Sequence, residues 1–275
     1  MSTRSKGIIK CAVKNLASAA GTVIPAASGS RILMYHSVGR RDHEMNVRPE
    51  DFRKQMAWLA DHGTPIPLRD AMDGRPGVAV TFDDGYLDNL TEAAPVLNEF
   101  GIPATVYVVA GRLGGFLDHD APEEAARLMT WDQVRELESM GITIGAHTLT
   151  HARLSKCSES EQRDEIVGCA RLMEDQLQHS IESFAYPFGT SADFNECSRV
   201  LVREGGFRCA CSARYGVNVP GRVDPWALRR IWIDRTDSMA VFRRKVLGRL
   251  DLLNVLDSAP ALQLRNLLNR VSREA

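Results

Sequence analysis

The strongest constraint on the fold of this chain is a regular alternation of two kinds of segment. Short segments rich in β-branched and aromatic residues are followed by longer ones whose apolar residues recur at helical spacing. We predict strands at residues 31–36, 78–82, 104–109, 143–147, 183–186, 207–212 and 228–233. We predict helices at residues 49–61, 89–100, 131–140, 159–178 and 193–204. This pattern is typical of parallel βα units and favours a closed or nearly closed barrel, with a doubly wound sheet as the alternative.

Local signals mark several helix ends. Pro49 lies in the first turn of its predicted helix and is followed by acidic residues. Ser158 with Glu161 three residues later predicts a capping box at the start of another helix. Three glycines that follow helical runs predict helix ends, namely Gly63, Gly101 and Gly141.

Two basic segments lie outside the alternation. Residues 1–30 contain basic residues and no acidic residue, whereas basic residues outnumber acidic ones in residues 236–275. We therefore divide the chain into a basic tail (1–30), a main domain (31–235) and a C-terminal helical extension (236–275). Leucines and valines at helical spacing predict one or two amphipathic helices in the extension. Their apolar face packs on the barrel, and a membrane-surface or partner contact is the alternative.

Charge and cysteine content limit the function classes. A formal net charge of −1 gives no overall basic field, so we expect no nucleic-acid partner. The six cysteines form no C-x-x-C pair and are expected to be reduced thiols, which favours a cytoplasmic protein. Lys10 and Lys14 interrupt the apolar run of the N-terminal segment, so we do not expect a signal peptide there. Contact with the inner membrane through the basic termini, or export, is the alternative.

The stretch VTFDDG, residues 80–85, places two adjacent carboxylates directly after an apolar strand. Side chains alternate across a strand, so Asp83 and Asp84 point in different directions unless the strand has already ended there. Such a pair can divide one task, with one carboxylate binding a metal ion and the other accepting a proton.

The stretch GAHTLTH, residues 145–151, places two histidines four residues apart at the end of another strand. On a helical turn this spacing puts His147 and His151 on one side, within reach of a single ion. Structural histidines are the alternative. Because catalytic groups of parallel barrels gather at the carboxyl ends of the strands, we expect both stretches to meet there. One aspartate and two histidines would bind a divalent metal, Zn²⁺ first, with Co²⁺, Mn²⁺, Fe²⁺ or Ni²⁺ as alternatives.

The order TFDDG, HTLTH and AYPFGT resembles the polysaccharide deacetylase (NodB homology) family, carbohydrate esterase family 4, over residues 31–235. The resemblance implies a distorted (β/α)7-type barrel with parallel strands and metal-dependent hydrolysis of acetyl groups on sugars. By position, Asp83 matches the family's catalytic base and Asp84 its metal-binding aspartate. His147 and His151 match its histidine ligands.

Two departures from the family pattern concern the other catalytic groups. In many members of the family a histidine on a late strand is the general acid. No histidine follows His179 in this chain, so we predict that His36 has that role. A core histidine is the alternative for His36. Ala185 stands where the family has an arginine that orients the base. Of Arg229 and Arg230, strand alternation sends only one inward, and we predict Arg230.

The sequence also suggests how the substrate is bound. We predict a contribution from the loop of Tyr186, Phe188 and Gly189, one of whose backbone N–H groups would stabilise the oxyanion. Phe188 and Trp226 are predicted walls of the sugar site, with a core role as the alternative for each. The expected function is removal of acetyl groups, N-acetyl first, from a polysaccharide, oligosaccharide or lipid-linked glycan. The alternatives are an amidohydrolase acting on a small amide and a carbohydrate-binding module whose catalytic site has decayed.

Overall fold

A computed structural model describes residues 27–118, 120 and 126–251. Most of the predicted basic tail and the part of the predicted extension after residue 251 lie outside these residues. Seven strands form a closed barrel, as the sequence predicts. Within the described residues the strands in chain order are β1 Ser30–Tyr35, β2 Ser37–Val38, β3 Asn46–Val47, β4 Gly77–Phe82, β5 Ala104–Val108, β6 Thr143–Ala146, β7 Ser183–Ala185, β8 Cys209–Tyr215 and β9 Leu228–Trp232.

The barrel strands are parallel throughout, in the order β1, β4, β5, β6, β7, β8, β9, and β9 pairs back with β1. The barrel is distorted at two places. β6 and β7 share a single paired position, Ala146 with Phe184. β8 carries two more residues than β9 between the pairs Cys211–Leu228 and Tyr215–Arg230, which is a bulge. β2 and β3 form a separate two-stranded sheet that the sequence did not predict.

Alternation along each strand separates two cores. Outward residues such as Leu33, Val80 and Ile144 belong to the large core between the barrel and its helices. Inward residues such as Ile32, Ala79, Tyr107, Cys211 and Leu228 fill the barrel interior. Because the interior is packed with side chains, a ligand site can open only at one end of the barrel.

The described helices surround this barrel. In chain order they are α1 Pro49–His62, α2 Leu68–Ala71, α3 Ala94–Glu99, α4 Trp131–Ser139, α5 Glu159–Arg163, α6 Cys169–Leu177, α7 Glu196–Glu204 and α8 Met239–Val246. Pro49 begins α1, and the capping box of Ser158 and Glu161 is present at α5. Among the described residues, no helix is both long enough and apolar enough to cross a bilayer.

Two segments predicted as regular helices each contain a π-helical turn. Asn89–Ala93 precedes α3, and Asp164–Gly168 separates α5 from α6. A π turn is a one-residue insertion that leaves the apolar periodicity nearly unchanged, so the sequence pattern did not reveal it. The predicted helix at 193–204 begins later, at Glu196, because Asn195 accepts a hydrogen bond from the Ser198 N–H and caps it.

The described part of the C-terminal extension contains α8. Phe242 of α8 is buried and packs edge-on against Trp58 of α1, with ring centroids 5.9 Å apart. Lys245 is also buried, and its ammonium group donates to Asp237 and to the Trp232 carbonyl. The helix is therefore joined to the end of β9 by a buried ion pair as well as by apolar packing.

Candidate metal centre and active site

The two adjacent aspartates both face the open end of the barrel, and the backbone explains how. Asp83 continues the inward alternation of Ala79 and Thr81, and its N–H donates to the Tyr35 carbonyl at 3.0 Å. Asp84 has φ of 76°, a left-handed conformation that aspartate tolerates better than most residues. The chain turns at that point instead of continuing as a strand, so both carboxylates line one cavity of about 450 Å³.

The histidines lie in an irregular loop, so the predicted helical turn is wrong. His147 directly follows β6, whereas Thr148 and His151 have φ of 67° and 65°. The Thr148 hydroxyl accepts from the His151 N–H at 3.0 Å. Glu165, in the second π turn, accepts from the N–H groups of Leu149 and Thr150 at 3.0 and 2.9 Å. These bonds replace a helix in bringing the two imidazoles together.

Asp84, His147 and His151 form a cluster that could bind a metal ion. Asp84 Oδ1 lies 3.5 Å from His147 Nε2 and 3.4 Å from His151 Nε2. The cluster's ligand atoms all lie within 4.8 Å of one another. Tetrahedral ligands at about 2.1 Å from Zn²⁺ are separated from each other by about 3.4 Å. The spacing of the three side chains therefore fits a small divalent cation.

The hydrogen bonding of the cluster also fits a cation. His147 Nδ1 lies 2.7 Å from the Ala185 carbonyl, and because a carbonyl only accepts, this nitrogen carries the proton. Nε2 then directs a lone pair toward Asp84, as in metal-binding histidines held by an outer partner. Asp84 Oδ1 is buried and has no hydrogen-bond partner within the described part of the chain. A buried acceptor facing further acceptors is satisfied by a cation.

The second aspartate is held by Arg230. Arg230 NH1 and NH2 donate to the two oxygens of Asp83 at 2.6 and 2.7 Å, and its Nε donates to the Ser212 carbonyl at 2.9 Å. Arg230 is fully buried in the barrel. The other candidate, Arg229, instead donates to the Tyr215 carbonyl at 3.0 Å. Of the two arginines, Arg230 is therefore the one that contacts Asp83, and it is the one that the sequence predicts to point inward.

The two carboxylates have opposite pKa shifts. Burial raises the pKa of Asp83, but the charges of Arg230 and His147 and the Arg230 hydrogen bonds outweigh burial and hold that pKa well below its usual range. Burial, reinforced by the charges of Asp83 and Asp120, raises the pKa of Asp84 well above its ordinary value. The surroundings of Asp83 therefore favour its anion, whereas those of Asp84 disfavour its anion and would favour a cation beside it.

His36 lies in the same cavity, half-buried. Burial lowers its pKa to about 4, against the opposing effect of the Asp83 charge. Its Nδ1 is buried without a hydrogen-bond partner among the described residues. His36 is consequently neutral near pH 7 and able to accept a proton before it can donate one.

The predicted substrate-binding residues are only partly brought together. Phe188 lines the cavity, 43% exposed and with φ of 60°. Tyr186 reaches the cavity wall, but its ring stacks on Phe194 and its hydroxyl donates to the Trp226 carbonyl at 3.1 Å. A Cβ on Gly189 would lie 2.6 Å from the Ala213 nitrogen, so this glycine permits the close approach of loop and strand.

Trp226 does not reach the cavity, contrary to the prediction of a sugar wall. It precedes β9 by two residues and packs against the core outside the barrel, beneath the Arg203 guanidinium at 5.1 Å. The sequence also missed several cavity residues, among them Trp232, His43 and Tyr86. Trp232 could have been found by extending the alternation of β9 two residues beyond Arg230.

A polar group of three side chains stands beside the metal cluster. Tyr86 donates to Asp120 at 2.6 Å, and Arg41 NH1 lies 3.3 Å from the other oxygen of Asp120. Arg41 also lies 5.1 Å from the centre of the Tyr86 ring. These residues come from different loops and share no motif, so the sequence offered no signal for them.

The sequence of this chain is similar to a family profile and to named bacterial proteins. The family profile named Polysaccharide deacetylase matches residues 71–210, just over half of the chain. YxkH of Bacillus subtilis, named for the polysaccharide deacetylases, is 29% identical over 194 residues, 67% of this chain and 64% of that protein. Poly-β-1,6-N-acetyl-D-glucosamine N-deacetylase of Escherichia coli K12 is 30% identical over 123 residues, 38% of this chain and 18% of that protein. The chain thus spans less than two thirds of the first relative and less than a fifth of the second.

Solved structures show the same fold. IcaB from Ammonifex degensii superposes with a TM-score of 0.69 at 24% identity, covering 82% of this chain and 98% of that one. Streptococcus pyogenes deacetylase PplD, in complex with acetate, gives a TM-score of 0.67 at 22% identity, covering 80% of this chain and 99% of that one. At these identities the superpositions show a shared fold, which in this chain is the seven-stranded parallel barrel.

Proposed function

Since this chain belongs to the polysaccharide deacetylase family, we propose that it is a metal-dependent hydrolase that removes acetyl groups, N-acetyl first, from a glycan. The observation that carries the proposal is one cavity that holds both the Asp84, His147 and His151 cluster and the Asp83–Arg230 pair. A metal cluster beside a separate, oriented carboxylate is the arrangement required to activate water against an acyl carbon.

The residues of this chain divide the chemistry among them. A divalent cation bound by Asp84, His147 and His151, Zn²⁺ first, would act as a Lewis acid on the acetyl carbonyl and lower the pKa of water. Asp83, fixed by Arg230, accepts the proton of the attacking water. His36, neutral near pH 7, receives this proton from Asp83 and donates it to the leaving amine, which leaves both groups ready for the next turnover.

The negative charge that develops on the acyl oxygen requires a donor. In the predicted loop the Tyr186 N–H already donates to the Cys211 carbonyl at 3.0 Å, and Pro187 has no N–H. Within the described residues the Phe188 N–H has no acceptor, and its φ of 60° sets it apart from the strand before it. Phe188 is therefore our proposed oxyanion donor, a contribution of about 3–4 kcal/mol in comparable sites.

The proposed substrate is an N-acetylated polysaccharide, oligosaccharide or lipid-linked glycan. The cavity is large enough for a sugar unit and is lined by aromatic and polar side chains. The name of the E. coli relative, which refers to poly-β-1,6-N-acetyl-D-glucosamine, supports an N-acetylhexosamine polymer. We further propose a cytoplasmic location near the inner membrane, which cell fractionation would test.

Metal analysis combined with acetate release tests this function. We expect one equivalent of bound divalent metal and release of acetate from N-acetylglucosamine oligomers, with little release from a panel of small linear and cyclic amides. Asp83→Asn should bind metal but lose acetate release, whereas Asp132→Asn, which changes a 91% exposed carboxylate, should leave both unchanged. Preference for the small amides would indicate an amidohydrolase. Oligomer binding without acetate release would indicate a binding module.

A further inference from the structure

A rigid, exposed tryptophan on the cavity wall has no role in the reaction described above. Trp232 is the last residue of β9 and is 37% exposed. Its indole N–H donates to the Ala213 carbonyl at 3.2 Å, and its own carbonyl accepts from Lys245 of α8 at 2.5 Å. Because the indole is already held in place, a ligand that covers its exposed part gains apolar contact without a further loss of side-chain entropy.

The rings of Phe188, Tyr186 and Tyr86 on the cavity wall each already contact another aromatic or cationic group. Phe188, although 43% exposed, contacts the His151 ring, with centroids 4.9 Å apart, and the Arg153 guanidinium, 4.0 Å from its centroid. The Tyr186 ring stacks on Phe194 at 3.9 Å and is buried. Tyr86 is buried beneath Arg41. Within the described residues, Trp232 has no aromatic or cationic group stacked on its ring.

The position of Trp232 in the strand is close enough to Asp83 for both residues to contact one sugar unit. Leu228, Arg230 and Trp232 share the inward face of β9, so Trp232 lies one side-chain step, about 6.6 Å, beyond the arginine that holds Asp83. In an N-acetylhexosamine the acyl carbon is joined to the sugar ring through a single nitrogen, so the ring and the acyl group both lie within one such step. With the acetyl group at Asp83 and the metal cluster, the sugar ring would lie at the level of Trp232.

We propose that Trp232 is the substrate platform of this enzyme, against which the apolar face of the N-acetylhexosamine ring packs while its acetyl group reaches the metal cluster. The inference rests on the proposed function. It makes Trp232 a specificity-determining residue that recognises the sugar ring and not the acyl group. An aromatic face suits the C–H-rich side of a pyranose, while its edge remains in contact with water.

The test compares two substrates. One is an N-acetylglucosamine oligomer, and the other is trifluoroethyl acetate, which has the acyl group but no ring. For Trp232→Ala we expect kcat/KM on the oligomer to fall about 10- to 100-fold, mainly through KM, with the ester rate unchanged. Trp232→Phe should recover part of the loss. Val200→Ala, which alters a 41% exposed side chain on α7, is the control and should match the wild type.

Direct binding separates the inference from the function on which it rests. Asp83→Asn protein labelled with ¹⁵N, loaded with zinc and titrated with the oligomer, should show a shift of the Trp232 indole signal, assigned by its loss in Trp232→Phe. Normal oligomer hydrolysis in Trp232→Ala, or an equal loss on oligomer and ester, overturns the inference and leaves the deacetylase function standing. If the wild type neither hydrolyses nor binds the oligomer, both fail.

Discussion

The buried Asp83–Arg230 pair supports a quantitative prediction. Arg230 is fully buried, and its guanidinium donates to Asp83, to the Ser212 carbonyl and, at 3.4 Å, to the Thr81 hydroxyl. Arg230→Met removes all of these bonds and leaves a carboxylate that is 3% exposed without its partner. Breaking a buried ion pair from one side costs about 3–5 kcal/mol. We expect the free energy of unfolding to fall by that amount.

A double-mutant cycle shows whether the loss comes from the pair itself. Asp83→Asn alone leaves Arg230 buried and uncompensated, so it should also destabilise the fold. The combined variant Asp83→Asn/Arg230→Met contains no buried charge at this position, and we expect it to be at least as stable as either single variant. The coupling free energy between the two sites should then be about 3 kcal/mol or more.

Urea unfolding of the chelator-treated protein at pH 7 measures these values. A shift of the midpoint at constant slope reports stability alone. Two results would refute the reasoning: a loss below about 1 kcal/mol in Arg230→Met, or strictly additive effects in the double variant. Arg230→Lys adds a functional readout, because it keeps the charge but loses the two-pronged contact. For this variant we expect kcat to fall about 100-fold through misplacement of Asp83, and a wild-type kcat would contradict an orienting role.

Three further predictions concern carboxylates with raised pKa values. Asp84→Asn should abolish zinc binding yet raise the thermal midpoint of the metal-free protein, because burial disfavours the charged form of Asp84; an unchanged midpoint would count against this. Zinc binding should release a proton from Asp84, detected by calorimetry in buffers of different ionisation enthalpy, and should tighten as pH rises. Burial raises the pKa of Asp88 to about 6, so its contribution to stability is present at pH 4 and lost as pH rises through about 6. Asp88→Asn should therefore stabilise the protein at pH 7.5 by up to about 3 kcal/mol and have no effect at pH 4, as measured by urea unfolding.

The barrel could be predicted because the types of side chain that follow one another along the chain distinguish its strands from its helices. Most barrel strands have β-branched or aromatic residues on their outward face, so they stand out from the helical segments between strands. The same alternation distinguished Arg230 from Arg229. Parallel strands bring their carboxyl ends together, which is why residues as far apart as Asp84 and His147 could be assigned to one site.

Other features depend on contacts that the sequence does not encode locally. The loop holding His151 is shaped by Glu165, fourteen positions away, and by a left-handed backbone that histidine adopts only when its surroundings require it. Trp226 precedes β9, and Trp232 is its last residue. Only the direction of the strand places Trp232, and not Trp226, at the open end of the barrel. The Tyr86, Asp120 and Arg41 group joins separate loops and has no sequence spacing to recognise.

The backbone around the candidate metal cluster is more strained than the barrel strands that carry it. Among the described non-glycine residues, five have positive φ, and four of them are Asp84, Thr148, His151 and Phe188 at or beside the cavity. A left-handed residue costs about 1–2 kcal/mol relative to ordinary backbone. The same place holds a buried carboxylate whose pKa is raised and whose oxygen lacks a partner among the described residues. A divalent cation bound here would offset the cost of the buried Asp84 carboxylate and, by binding only the folded arrangement, the backbone strain as well. Metal affinity and local stability would then depend on the same residues.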